Sequence, residues 1–284
     1  MKEKEEKFNI NIEEMMKAGL HFGHRTSKVH PKIRPYLQGV RNTIHIFNLE
    51  KTAKKLKEAL AFIEELIAQG KTLLLVGTKI QARELLKETA QECGLPFVSG
   101  RWLGGTFTNF EVIRKRIDYF KNLEREKREG ELEKYTKRER AKIDQEIEKL
   151  EERFGGIKEM EKIPEAIFVL DLKKDILAVK EAKKKGVTVV GIADTNVDPE
   201  LADYPIPAND DAISSIKYIL EKVKEAVLKG KERAEKMKKE SPVKDEEKEK
   251  EEEEEEKEKE KEKEEKEKEK EKEKKEEIVS EIKK

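Results

Sequence analysis

From Glu50 to Gln69 the apolar residues Ala53, Leu56, Leu60, Ile63 and Ile67 recur at intervals of three and four, the spacing that lines one face of a helix. Asn48 stands where its side chain can cap the first turn, and Gly70 ends the pattern. Thr72 to Val76 (TLLLV) is then an unbroken apolar run, which predicts a strand buried on both sides. The alternation repeats. Gly77-Thr78-Lys79 turns into a helix to about Cys93, Gly94-Leu95-Pro96 breaks it, and Phe97-Val98 is a short strand. Ala166 to Leu170 and Thr188 to Ala193 are further strands, followed by helices over Lys173 to Lys185 and Asp211 to Leu228 respectively. Strands and helices in alternation, with continuous apolar strands, predict a doubly wound α/β fold of Rossmann or flavodoxin-like type, its mainly parallel sheet covered on both faces.

Two segments have a different grammar. Between the strands at Phe97-Val98 and Ala166 to Leu170, the residues Phe110, Ile113, Ile117 and Phe120, then Ile143, Ile147, Leu150 and Phe154, form a narrow seam in otherwise charged helices. That spacing predicts an antiparallel coiled-coil hairpin with its turn at Glu129-Gly130, and Thr136 with Glu139 is a capping box for the second arm. At 1.5 Å per residue such arms reach roughly 30 Å. The tail is Glu and Lys in alternation, with almost nothing to bury, so it cannot offset its ordering entropy and disorder is expected there. The predicted organisation is a core domain over residues 1–107 and 155–230, a hairpin over 108–154 and a charged tail over 231–284.

Charge changes the picture. The chain of 284 residues has a formal net charge of zero, but residues 241–284 hold 15 Lys and 22 acids, which leaves 49 basic and 42 acidic groups in the body. The body is basic and the tail acidic, a balance that suits a polyanion partner better than net neutrality suggests. Residues 15 to 49 concentrate this. Lys17, Arg25, Lys28, Lys32, Arg34 and Arg41 lie there with no acid between Glu14 and Glu50, together with all four histidines, His21, His24, His30 and His45. The stretch reads as a Pro- and Gly-punctuated loop ending in a strand over Thr43 to Phe47. A single cysteine, Cys93, excludes an internal disulfide framework, and no run approaches the roughly 20 apolar residues of a membrane span, so a soluble cytoplasmic protein is expected.

Candidate chemistry is sparse. Gly70-Lys71-Thr72 ends like a phosphate-binding loop, but Glu65 stands where the first glycine belongs and the triplet runs from helix into strand. Asp194-Thr195-Asn196-Val197-Asp198 opens like a calcium loop, yet Pro199 replaces the turn glycine. His21 and His24 are half a zinc site without the thiols to complete it, and Asp171 and Asp194, at two strand ends, are either magnesium ligands or ordinary capping aspartates. No metal, cofactor or catalytic residue is expected. What remains can hold phosphates without transforming them. Gly100 to Asn109 brings two adjacent glycines, Arg101, Trp102, Thr106 and Asn109 to the entrance of a helix, and Lys79 follows Gly77 in the same manner.

The segments AGLHFGHRTSKVHPKIRPYLQGVRNTIHIFNLEKT, LLLVGTK, CGLPFVSGRWLGGTFTNF, FGGIKEM, DTNVDP and DYPIPANDDAISSIKYI, in this order from about residue 12 to 230, resemble the bacterial-type ribosomal protein S-two family. The resemblance implies a structural, non-enzymatic constituent of the cytoplasmic small ribosomal subunit that binds ribosomal RNA and neighbouring ribosomal proteins, the messenger-binding protein S-one among them. Carried onto this sequence, it implies RNA-facing roles for His21, His24, Arg25, Lys28, Lys32, Arg34, Arg41, Lys79, Arg101, Trp102, Thr106 and Asn109. Two other readings stay open on the residues themselves. One is a nucleotide-binding enzyme using the Gly77 and Gly104-Gly105 loops. The other makes the hairpin a docking post for a protein.

Overall fold

Leu73 and Leu75 enter one apolar layer of the protein, Leu74 and Val76 another. The alternation is that of a strand between two cores, and it sets the architecture. A computed structural model describes residues 8–236, apart from the Glu133 side chain. The Glu/Lys-rich stretch expected to be disordered lies, from residue 237 on, outside the described residues. The described residues up to 232 form one compact unit, and beyond it only the helical residues 233–236 are described.

The elements run α1 (Ile12–Lys17), β1 (Phe22–Arg25), β2 (Leu37–Arg41), β3 (Ile44–Phe47), α2 (Leu49–Ala68), β4 (Leu73–Val76), α3 (Arg83–Cys93), β5 (Phe97–Val98), α4 (Phe110–Arg128), α5 (Lys137–Phe154), β6 (Ala166–Val169), α6 (Ile176–Lys185), β7 (Thr188–Ala193), β8 (Tyr204–Pro207) and α7 (residues 213–236). The central sheet has five strands in the order β5-β4-β6-β7-β8, every pair parallel. One core joins its first face to α2, α3 and α7 through Leu56, Leu60, Ile63, Leu86, Ile219 and Val223. The other joins its second face to α6 and to the bases of α4 and α5. Helices thus cover both faces, the doubly wound arrangement that the apolar runs predict.

Asn48 caps α2 by accepting from Glu50 N and Lys51 N, and Gly70, at φ +71°, ends it in the left-handed region open to glycine. Thr136 and Glu139 form the expected capping box of α5. The seam residues of α4 and α5 all join the second core, and Tyr119 of α4 donates to Glu146 of α5 while Lys127 pairs with Asp144 at 2.6 Å.

Two features differ from the sequence reading. β8 is a strand containing Pro205 and Pro207, tolerated because it lies at the sheet edge and pairs only with β7. The strand expected at the end of the basic stretch forms as β3, but the part expected as a loop supplies β1 and β2 as well, making a three-stranded antiparallel sheet in the order β1-β3-β2 with a 3-10 helix over Pro31–Tyr36 between β1 and β2. Its β2–β3 hairpin turns on Asn42 and Thr43, both at positive φ, the geometry of a two-residue turn that matches strand twist. Thr43, β-branched at φ +65°, is held there against its own preference.

Candidate nucleic-acid interface

In an open parallel sheet ligands bind beyond the carboxyl ends of the strands, at the point where strand order reverses. Here that point lies between β4 and β6. The loops that leave these strands, Gly77 to Lys79 and Leu170 to Asp175, fill it with the chain's own groups. The Lys79 ammonium lies 2.8 Å from both the Asp210 carboxylate and the Asp210 carbonyl oxygen, 2.6 Å from Asp211 and 3.3 Å from Asp171. Thr78 donates to Asp175 through its amide and its hydroxyl, and Asp171 accepts from the amides of Lys173 and Lys174. Burial pulls the Lys79 pKa down, but the hydrogen bond and charge of Asp210 outweigh it and raise it overall. Burial and the neighbouring charges of Asp194 and Asp171 push Asp210 up to about 7, against the opposing pull of the Lys79 ammonium.

His24 closes this crevice from the antiparallel sheet. Its Nδ1 lies 3.1 Å from Asp194 and its Nε2 3.5 Å from Asp211, and the hydrogen bond to Asp194 raises its pKa. Donor atoms of His24, Asp194 and Asp211 come within 4.8 Å of one another, so this trio is a candidate metal group among the described residues. The Lys79 ammonium on Asp211 and the His24 imidazole on Asp194 already supply positive charge to it. Lys79, proposed from sequence as an RNA-facing cation, thus has its charge met by three carboxylates of the chain.

The antiparallel sheet is pinned to the loop after β7. A Cβ at Gly23 would meet the Thr195 methyl at 2.4 Å, so only glycine lets β1 approach so closely. His24 N donates to Thr195 Oγ1 at 2.9 Å, His30 N to Thr195 O at 2.7 Å, and Lys32 pairs with Asp198 at 3.0 Å and with Glu200. Lys32 and His24 are thus partly committed within the chain. His21 is half-buried against Phe22, with ring centroids 4.0 Å apart, and burial with the charge of Arg41 lowers its pKa, so it is a neutral ring near pH 7. Arg25, Lys28, Arg34 and Arg41 differ from these. All four are exposed, and none has a carboxylate within ion-pairing distance among the described residues.

The glycine-rich loop divides similarly. Trp102 is buried, edge-on to Phe107 with centroids 5.0 Å apart, and offers no ring face to a base; Thr106 is buried, its hydroxyl donating to Leu103 O. Both pack within the chain, while Arg101 and Asn109 are exposed. What organises the loop is Glu181 of α6, which sequence reasoning missed. Its buried carboxylate accepts from Gly105 N at 2.8 Å, Phe107 N at 2.9 Å, Thr108 N at 3.2 Å, Thr108 Oγ1 at 3.3 Å and Trp102 Nε1 at 3.4 Å. Burial alone would raise the Glu181 pKa, but these donors outweigh it and lower it. A lone acid at a buried helix position is the signal that would have found it.

These features define a class: a doubly wound α/β body whose ligand crevice is closed by its own side chains, with an added basic antiparallel sheet and the two helices α4 and α5. Among the described residues no helix is long and apolar enough to cross a membrane. The model of one protein family, described as ribosomal protein S2, matches residues 15–230. A small ribosomal subunit protein uS2 from Roseiflexus sp. (strain RS-1) is 48% identical over 228 residues, 80% of this chain and 87% of the relative. Proteins of the same description from Dictyoglomus thermophilum and Coprothermobacter proteolyticus are 46% and 44% identical, covering 80% and 78% of this chain and 93% and 83% of theirs. The chain belongs to the ribosomal protein S2 family and is a structural, non-enzymatic constituent of the small ribosomal subunit in the cytoplasm.

Proposed function

We propose that the protein grips small-subunit ribosomal RNA through phosphate contacts from Arg25 and Arg41 of the antiparallel sheet and from Lys28 and Arg34 of the segment that joins β1 to β2, together with Arg101 and Asn109 of the glycine-rich loop. The observation that carries the proposal is the contrast in pairing. Lys79 and Lys32 are paired with carboxylates of the chain, whereas Arg25, Lys28, Arg34 and Arg41 are exposed with no carboxylate within ion-pairing distance among the described residues, beside a sheet held to the core by Gly23, His24 and Lys32. A cation outside any ion pair in a chain with 64 acids leaves its charge available to a partner, although Lys28 also acts on Asp211 from beyond ion-pairing distance.

In this reading α4 and α5 form an antiparallel coiled coil that projects as a separate hairpin over residues 108–154, with the α/β core on either side of it in sequence, and the neighbouring proteins include the messenger-binding protein S-one. The test is binding of purified full chain to small-subunit ribosomal RNA over a salt series. Replacing Arg25, Lys28 and Arg34 by Ala should reduce the log–log slope by roughly two to three, at about 0.7–0.9 for each phosphate no longer neutralised. An unchanged slope would sink the assignment.

A further inference from the structure

We infer that the exposed face of α6 is a second RNA-binding surface, a lysine stripe that takes the phosphate backbone alongside the glycine-rich loop. The stretch from Asp171 to Gly186 carries six lysines, all exposed, and three acids, all buried: Asp171 on Lys79, Asp175 on Thr78, and Glu181 under the loop. Elsewhere the exposed helix faces mix signs, as with Lys54 and Glu58 of α2, Lys87 and Glu88 of α3, or Lys217 and Glu221 of α7. Among the described helices, a protein that intersperses its surface charges in this way presents a one-signed face only on α6.

The helix dipole explains part of it. Lys183, Lys184 and Lys185 fall in the last turn, where the helix favours cations. Lys173 and Lys174 do not fit that account, because they precede the N-cap Asp175 at the end that repels cations. Lys180 and Lys184 lie on one stripe of α6 with exposed Leu177, the four-residue step between the two lysines advances about 6 Å along the axis, and exposed Lys173 stands in the turn that leads into the helix. No side-chain partner holds any of these three within the described chain. A Cβ at Gly104 would lie 3.7 Å from the Leu177 side chain, and Glu181 fastens the loop to the same helix. Arg101 and the stripe therefore belong to one supported surface. A phosphate chain is the partner that fits: it offers many like charges in a row and asks for no shaped pocket.

This inference rests on the RNA-binding reading above. The test compares three full-length proteins in the same salt series with small-subunit ribosomal RNA: wild type, Lys173→Gln/Lys180→Gln/Lys184→Gln, and a control of equal charge change, Lys54→Gln/Lys87→Gln/Lys217→Gln. Thermal melts verify that all three fold. The α6 variant should lose roughly two to three units of slope and the control well under one. Equal losses in both would reduce the effect to net charge and overturn the inference, as would no loss in the α6 variant. An α6 variant with full RNA slope that fails to enter small subunits would assign the stripe to a protein neighbour instead. If wild type itself shows no salt-dependent binding, the RNA-binding reading fails first. If it binds and the Arg25, Lys28 and Arg34 substitutions weaken it while the α6 set does not, the α6 surface alone is refuted.

Discussion

The Lys79 ammonium and the Asp210 carboxylate meet at 2.8 Å across the carboxyl edge of the sheet, joining the loop after β4 to the loop after β8. In many proteins of this topology the same crevice receives a nucleotide or an ion. Here the cation is covalently part of the chain. The architecture of a ligand-binding sheet is retained, and its crevice serves to fasten loops together, with His24 extending the network into the antiparallel sheet.

Lys79→Met should therefore act on stability. It removes the cation from a site where Asp171 and Asp210 are buried, and a buried ion pair broken on one side costs about 3–5 kcal/mol. Urea unfolding should show the midpoint shift with an unchanged m-value. The salt slope for RNA binding, measured where the variant is still folded, should stay at the wild-type value. A shallower slope at full stability would instead return Lys79 to the RNA-facing set.

The same network makes stability depend on pH in a direction that can be worked out. Asp210 titrates near 7 in the folded chain, against an ordinary value of 3.8, so its protonated form favours folding at low pH and that contribution is lost as pH rises through about 7. His24 acts in the same sense, because its pKa is raised and its stabilisation fades as pH climbs above 6.5 through the folded value. His21, lowered by burial and Arg41, opposes them below 6.5. Asp211 and Glu181, both lowered, are ionised throughout this range and give no slope until pH falls towards their ordinary values of 3.8 and 4.5. Between pH 6 and 8 the wild type should lose stability on the order of 1–2 kcal/mol, and Asp210→Asn should flatten most of that decline. Thermal melts at fixed ionic strength decide it; an equally steep Asp210→Asn profile would exclude Asp210 as the titrating group.

How much of this could be read from the sequence depends on what each element is made of. β4, β6 and β7 are continuous apolar runs because both their faces are buried, and such runs are visible in one dimension. The caps at Asn48 and Thr136 are local and equally visible. β8 was hidden by Pro205 and Pro207, which read as turn residues and are tolerated only because one edge of the strand is unpaired, a fact of topology. β1 and β2 were hidden because they are largely exposed and basic, with no apolar alternation to mark them. The site divides in the same way. Arg25, Lys28, Arg34 and Arg41 stood out through the absence of nearby acids in sequence, and they remain exposed in space. Lys79 looked equally free, but the acids that claim it come from residues 171, 210 and 211, over ninety positions away. The donors of Glu181 were hidden for the same reason, since they lie 73 to 79 residues upstream, and only its place among the apolar positions of α6 could have marked it.

Gly23→Ala tests the joint between the basic sheet and the core, and its cost should be recoverable. The new methyl would sit 2.4 Å from the Thr195 Cγ2 and 3.2 Å from the His45 carbonyl oxygen. Thr195 cannot turn aside cheaply. It is fully buried, and its hydroxyl accepts from His24 N while donating to Asp194. Either the threonine abandons those bonds or β1 lifts from the loop, and overpacking of this kind costs about 1–3 kcal/mol. Thr195→Ser removes the clashing methyl and keeps the hydroxyl, so Gly23→Ala/Thr195→Ser should be more stable than Gly23→Ala alone. A double-mutant cycle by urea unfolding should show a favourable coupling of roughly 1 kcal/mol or more. Additive losses would mean that the two residues do not bear on each other and that the sheet is held to the core elsewhere.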